Sequence, residues 1–239
     1  MTTRRVALAA VFAALYFVLR GIPIIQMFGI SGRFTAGDFL LTGIALATGP
    51  WSGALSVFVG TILAYPLTGT PFLGVDFLPG VVNVLLAGLI LQNHHRIAQV
   101  VYAAVLFVFI VSPYSLLFGY GLVPYAWLHI IGLLVVLSPV TARIPSLVKR
   151  EGKHQLAAIA ALAFVGTMGQ HLTGGLLYEF TLGVVQGNSI EFLKKSWQII
   201  FWLYPMERLL IVTVSTILSV ALVRSIKRLG SLGGFNTTG

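Results

Sequence analysis

Long uninterrupted apolar runs dominate this chain, broken at intervals by proline, glycine and small polar clusters. Stretches such as 100–111 and 130–140 show no alternation of apolar and polar positions. A transmembrane barrel would show that alternation in segments of about ten residues, so the runs predict helices. The expected helices lie at about 5–21, 36–49, 51–66, 77–92, 97–117, 123–142, 155–183 and 197–226. Between them stand a loop with Pro23, Gly29, Gly32 and Arg33, a break at Gly49-Pro50, a loop over 67–76, the polar patch 92–96, a basic loop from Arg143 to His154, and a polar loop from Gln186 to Ser196. The second and third helices are short and form a tight hairpin that crosses only in part, so six to eight spans are expected. Residues 1–229 make one helical domain, and the glycine-rich tail 230–239 is expected to be disordered.

Composition turns these helices into membrane spans. Of the 239 residues, 57% are hydrophobic and 9% charged, with a mean hydropathy of +0.96. Soluble domains carry about 25% charged residues, so the natural solvent here is lipid. There every backbone polar group must be bonded internally, as helices allow. The expected fold is an all-α, polytopic integral membrane bundle in the plasma membrane. The chain begins like a signal peptide, with Arg4 and Arg5 before an apolar run, but Arg20 and Pro23 follow where a small-residue cleavage site would stand, so the first helix is read as retained. With no cysteine, disulfides, thiolate nucleophiles and cysteine-based metal sites are excluded.

The net charge of +9 then sets orientation. With the N-terminus inside, Arg4, Arg5, Arg96, Arg143, Lys149, Arg150, Lys153, Arg224, Lys227 and Arg228 face the cytoplasm, and only Arg20, Arg33, Lys194 and Lys195 face out. This excess places both termini in the cytoplasm with an even number of spans. The basic residues form no single stripe, which argues against a nucleic-acid partner.

Ionisable residues within spans are costly and are candidates for function. In this topology Asp38, Asp76, Glu179, Glu207 and Arg208 fall in the outer half, with His129, Gln170 and His171 near the middle. Asn83, Tyr125, Trp127, Tyr178, Trp197, Trp202 and Tyr204 share that level. The expected substrate-binding set is Asp76, Asn83, Trp127, His129, His171, Glu179, Trp202 and Glu207, lining an outward cavity that suits a cationic or ring-shaped ligand. Bland alternatives stand beside it. Tyr125, Trp197 and Trp202 also fit an interfacial aromatic belt. Asp38 and Asp76 also fit helix caps, and His171 an interhelical bond. Glu207 and Arg208, being adjacent, are expected on different helix faces and not paired.

No enzyme motif is complete. Gly29-Ile30-Ser31-Gly32 matches the short serine string of rhomboid proteases, but after one span it lacks the buried helix start that chemistry requires. There is no H-E-x-x-H and no Walker A string. No catalytic residue, metal or cofactor is assigned, and the chain is expected not to be an enzyme. On helix one, Ala9 stands four residues before Ala13, and Ala10 four before Ala14. Small residues at that spacing suit close helix packing, inside the fold or against a partner.

Three stretches carry a resemblance: Ala9-x-x-x-Ala13; Gly37-Asp38-Phe39 running to Gly49-Pro50-Trp51-Ser52-Gly53-Ala54 and Gly60; and Tyr204-Pro205-Met206-Glu207-Arg208-Leu209 before a basic tail. Together they resemble the substrate-binding membrane subunits (S components) of energy-coupling factor transporters, over about a third of the chain. The resemblance implies capture of a vitamin-like small molecule on the outer side. It implies docking, through Ala9 and Ala13, on a transmembrane coupling protein driven by two ATPase subunits, and then toppling in the membrane to release substrate inside. Metal-importing members begin with Met-His, which Met1-Thr2-Thr3 lacks, so cobalt or nickel is not expected. The family usually has six spans, and the segment 97–145 is the candidate insertion. Two other classes stay open: a stand-alone transporter or channel, and a membrane enzyme.

Overall fold

Why the chain breaks where it does is visible at its prolines and glycines. The computed structural model describes residues 3–26 and 32–233. The first helix, α1 (Thr3–Arg20), leads into a short antiparallel pair, β1 (Pro23–Gln26) with β2 (Arg33–Thr35). A 3-10 turn (Ala36–Phe39) then opens α2 (Leu41–Thr68). Gly49 interrupts α2 with φ 77° and ψ −178°, a conformation that a β-carbon would strain. Pro50 follows and favours a non-helical predecessor. Residues 41–48 and 50–68 are therefore two limbs, and the expected break at Gly49-Pro50 is the observed one. Asp38 below one limb and Thr68 at the end of the other line the same cavity, so the chain doubles back between them.

The remaining helices are α3 (Leu78–Leu91), α4 (His95–Val111), α5 (Trp127–Leu137), α6 (Pro139–Val148), α7 (Lys153–Glu179), α8 (Ile190–Ile200) and α9 (Leu203–Gly233). A second strand pair, β3 (Phe118–Tyr120) with β4 (Val123–Pro124), lies between α4 and α5. The fold is all-helical apart from these two small hairpins. Among the described residues, three helices are long and apolar enough to cross a membrane: Leu41–Thr68, Lys153–Val185 and Leu203–Arg228. The bent pair α5 and α6 adds a fourth if taken as one span, and Val6–Arg20, Leu78–Leu91 and His95–Val111 are shorter apolar helices.

Several boundaries depart from expectation, each for a local reason. Helix α4 stops at Val111, not 117, because Ser112 precedes Pro113 and is extended (φ −62°, ψ 133°). Ser138 before Pro139 bends α5 from α6 by 73°, and α6 carries helix through part of the expected basic loop. The expected polar loop at 186–196 mostly forms α8, an amphipathic helix capped by Ser189, whose side chain accepts from the Phe192 N–H. It buries Leu193 and Trp197 and leaves Lys194 and Lys195 in the open. Phe201 and Trp202 then separate α8 from α9, where one helix over 197–226 was expected. Helix α9 continues to Gly233, past the expected start of the tail, and 234–239 lie outside the described residues.

Packing of α1 on α2 corrects the docking assignment. Ala9 and Ala13 are 5% and 6% exposed, facing α2. The Ser56 hydroxyl donates to the Ala9 carbonyl at 3.0 Å. A β-carbon on Gly60 would stand 2.7 Å from the Ala13 carbonyl oxygen, so that pair of backbones already touches. The small residues on the outward stripe are Ala10 and Ala14, alongside Val6, Val11 and Val18.

Candidate functional site

One end of the bundle encloses a cavity of about 410 Å³. Its wall is assembled from the end of α1 (Tyr16, Arg20), the first strand pair (Arg33, Phe34), the 3-10 turn (Asp38), the 69–77 loop (Phe72, Asp76), the outer half of α7 (Gln170, His171, Tyr178), α8 (Trp197) and the start of α9 (Tyr204, Glu207, Arg208). All of these segments belong to the side that the charge bias assigns to the exterior. Apolar and aromatic walls with a few converging polar groups are the usual make-up of a small-molecule site.

The acids in this wall are mostly committed. Asp38 caps the 3-10 turn: its Oδ2 accepts from the Thr35 backbone N–H at 2.7 Å and its Oδ1 from Gln170 Nε2 at 2.6 Å. Gln170 Oε1 in turn accepts from Asn83 Nδ2 at 2.8 Å, joining the 3-10 turn, α7 and α3 by one buried chain. Asp76 folds its own loop, with Oδ1 accepting from the Phe72 N–H at 3.0 Å and Oδ2 unpartnered. Burial pushes the Asp76 carboxyl above the ordinary carboxylate range, opposed by the Phe72 N–H and by Arg20.

Arg208 is different. It is fully buried at 0% exposure, and none of its three guanidinium nitrogens makes a hydrogen bond among the described residues. Its charge is met by Glu207 Oε2 at 3.5 Å, and its guanidinium carbon lies 3.8 Å from the centre of the Phe34 ring. The pairing with Glu207 corrects the expectation that adjacent residues diverge. Their Cα–Cβ bonds do diverge, but both side chains are long and flexible enough to curl together. Burial without good hydrogen bonds is costly for a guanidinium.

Behind this sits an aromatic column. His129 Nε2 and His171 Nδ1 are 2.9 Å apart, and their rings stack at 5.0 Å between centroids. Tyr204 stacks on both, at 5.5 Å from His129 and 5.1 Å from His171, and donates its hydroxyl to the Tyr125 carbonyl at 2.7 Å. His129 Nδ1 is buried without a partner.

Of the eight expected substrate-binding residues, Asp76, His171 and Glu207 line the cavity. Asn83 and His129 stand one layer behind, through Gln170 and His171 respectively. The other three are placed elsewhere. Glu179 is buried in the junction of α4, α7 and α8, where its carboxylate accepts from Ser112 and Ser115 Oγ and, at 3.1 Å, from Trp197 Nε1. Trp127 opens α5 and packs on the core without lining the cavity. Trp202 is 62% exposed on the outside of the bundle, beside Phe201 and Tyr120. Arg20, Arg33 and Phe34 were outside the expected set. The only signal for the two arginines was their isolation on the side otherwise poor in basic residues. Ser31 of the protease-like string lies outside the described residues. Among the described residues no group of three or more histidine, aspartate or glutamate side chains is arranged to hold a metal ion. Comparison with known proteins gives no match to any protein-family model, curated protein or solved structure.

Proposed function

We propose that this protein is a membrane-embedded capture subunit that binds a vitamin-like small molecule from outside the cell and hands it to a separate, ATP-driven coupling machine, as energy-coupling factor S components do. The observation that carries the reading is the cavity of about 410 Å³ at the outward end, walled by charged and aromatic side chains from seven separate segments. Its size suits a ligand of vitamin dimensions. The rest is consistent with it. Three helices long and apolar enough to cross, the bent α5–α6 pair and three shorter apolar helices are the elements that a multi-pass protein of the plasma membrane with both ends inside would use. No Walker A string lies in the sequence, which accords with energy supplied by partners in this reading. Docking on a coupling protein falls to the outward stripe of α1, at Ala10 and Ala14, because Ala9 and Ala13 are used within the fold.

The test is thermal unfolding of the detergent-purified protein against a panel of water-soluble vitamins and their precursors. A ligand confined to the folded state stabilises by RT ln(1 + [L]/Kd), about 4 kcal/mol at a thousandfold excess over Kd. One strong stabiliser is expected, with no accumulation in vesicles that contain this chain alone. Accumulation in those vesicles without any ATPase would instead identify an autonomous transporter.

A further inference from the structure

We propose that the cavity selects a small organic anion: a carboxylate seated on Arg208, with a flat, ring-bearing body held among Tyr178, Trp197 and Tyr204. This rests on the capture reading above and names the class of cargo. The amino-acid pattern alone suits a cationic or ring-shaped ligand, because acids and aromatics share the outer level of the membrane. Placed in three dimensions, Asp38 is fully hydrogen-bonded and Asp76 half so, whereas Arg208 makes no hydrogen bond among the described residues.

Arg208 carries the inference. A guanidinium offers five N–H donors in a planar fork that matches a carboxylate edge. This one is wholly buried at the cavity wall with three nitrogens lacking any hydrogen bond among the described residues. Its single ionic partner, Glu207, sits at 3.5 Å in a geometry too poor to be a hydrogen bond. Buried donors in proteins are nearly always satisfied, so a wall with this many open donors is complementary to an incoming acceptor. Arg20, in the same wall, bonds Tyr16 but has a buried Nε without a hydrogen bond among the described residues.

Carboxylates of the wall do not supply an equivalent cation site. Both oxygens of Asp38 are taken, by Gln170 at 2.6 Å and the Thr35 N–H at 2.7 Å. Asp76 has one oxygen tied into its own loop by the Phe72 N–H at 3.0 Å. Burial also disfavours charge on Asp76. Glu207 faces Arg208 and is best read as the internal stand-in for the ligand's carboxylate.

The histidine pair adds a directional donor. His129 Nδ1 is buried without a partner, and His129 Nε2 meets His171 Nδ1 at 2.9 Å. An orphaned buried acceptor is tolerated better than an orphaned N–H. That places the shared proton on His129 Nε2, and therefore the His171 proton on Nε2, the ring nitrogen not committed to His129. His171 lines the cavity and so offers an N–H to a second acceptor on the ligand.

The experiment uses the full chain in detergent and measures Kd by calorimetry for matched pairs: nicotinate with nicotinamide, and biotin with its primary amide, alongside thiamine as a cationic ring. The expected result is acid over amide by at least about tenfold for the preferred scaffold, since a charged hydrogen bond is worth about 1.5–3 kcal/mol. Arg208→Gln should remove that preference. Glu207→Gln should tighten acid binding by removing the internal competitor, and unchanged acid affinity would count against the assignment independently of how well the arginine variant folds. Equal binding of acids and amides, or binding of thiamine abolished by Glu207→Gln, would overturn the anion assignment while leaving capture standing. A well-folded protein that binds none of the panel would count against both.

Discussion

Two buried ionisable residues on different helices of this molecule, Glu179 at the end of α7 and Arg208 in α9, are treated in opposite ways. Glu179, 2% exposed, is met by two serine hydroxyls and an indole N–H. Arg208, 0% exposed, is met by no hydrogen bond and one loose ion pair among the described residues. Burial alone does not separate a structural charge from a functional one. Satisfaction does, because each donor around Glu179 is already spent on holding α4, α7 and α8 together, whereas those of Arg208 remain to be spent at the cavity.

Breaking the Glu179 side of this comparison should have the largest effect. Glu179→Ala takes the acceptor from buried Trp197 Nε1, removes the bonds from Ser112 and Ser115 and leaves a hole, and the expected loss is about 3–5 kcal/mol of stability. Chemical unfolding in detergent micelles measures it, with ligand preference among surviving folded molecules unchanged. Next comes the buried chain that joins the 3-10 turn, α7 and α3: Gln170→Ala removes both the Asp38 and the Asn83 bonds and should destabilise by about 2–3 kcal/mol. Replacing the Arg208–Glu207 pair should go the other way. Exchanging both members together, Arg208→Met with Glu207→Leu, is expected to be neutral or stabilising by up to about 2 kcal/mol in the ligand-free protein, with loss of the ligand-induced rise in Tm. A strongly destabilising double replacement would make Arg208 structural like Glu179 and erase the contrast.

The smallest effect is a pH slope from Asp76. Its proton is bound more tightly in the folded state than in the unfolded one, so its stabilising contribution is complete below the ordinary carboxylate pKa. That contribution is lost as pH rises through the raised folded value. Asp76→Asn should remove this component from the pH dependence of Tm, and an unchanged slope would show that Asp76 titrates as it does when unfolded.

The sequence disclosed the helices well because long apolar runs have no other reading, and it disclosed the reversal at Gly49-Pro50 because those two residues act locally. It hid α8, where Glu191, Lys194 and Lys195 gave the segment a loop's polarity while Leu193 and Trp197 kept a helical spacing. It hid the bend at Ser138 as well, since Pro139 lies within one apolar run that reads as a single helix over 123–142. The site was half legible. Depth along a helix follows from counting, and that put Asp76, His171 and Glu207 at the right level. Rotation about the helix axis does not follow from counting in a bundle apolar on every side, so Glu179, Trp127 and Trp202 were placed on a wall they do not share, and Ala9 and Ala13 on a surface they do not reach. Phe34 and Arg33 sit in a strand pair with no periodicity to announce them.

The doubled-back α2 carries a consequence for how this chain enters the bilayer during synthesis. Its first limb, residues 41–48, rises only about 12 Å at 1.5 Å per residue, far short of the roughly 30 Å hydrocarbon thickness. Such a limb cannot be handed to lipid as an independent segment. It has to arrive together with the 50–68 limb and then find α9 and α3 around it, as Gly43 against Leu222 and Gly53 against Val84 record in the finished protein. The outward wall that contains Asp38 therefore exists only after the last helix has been made, and a chain truncated before α9 should emerge from the ribosome with its hairpin inserted incompletely and without the cavity.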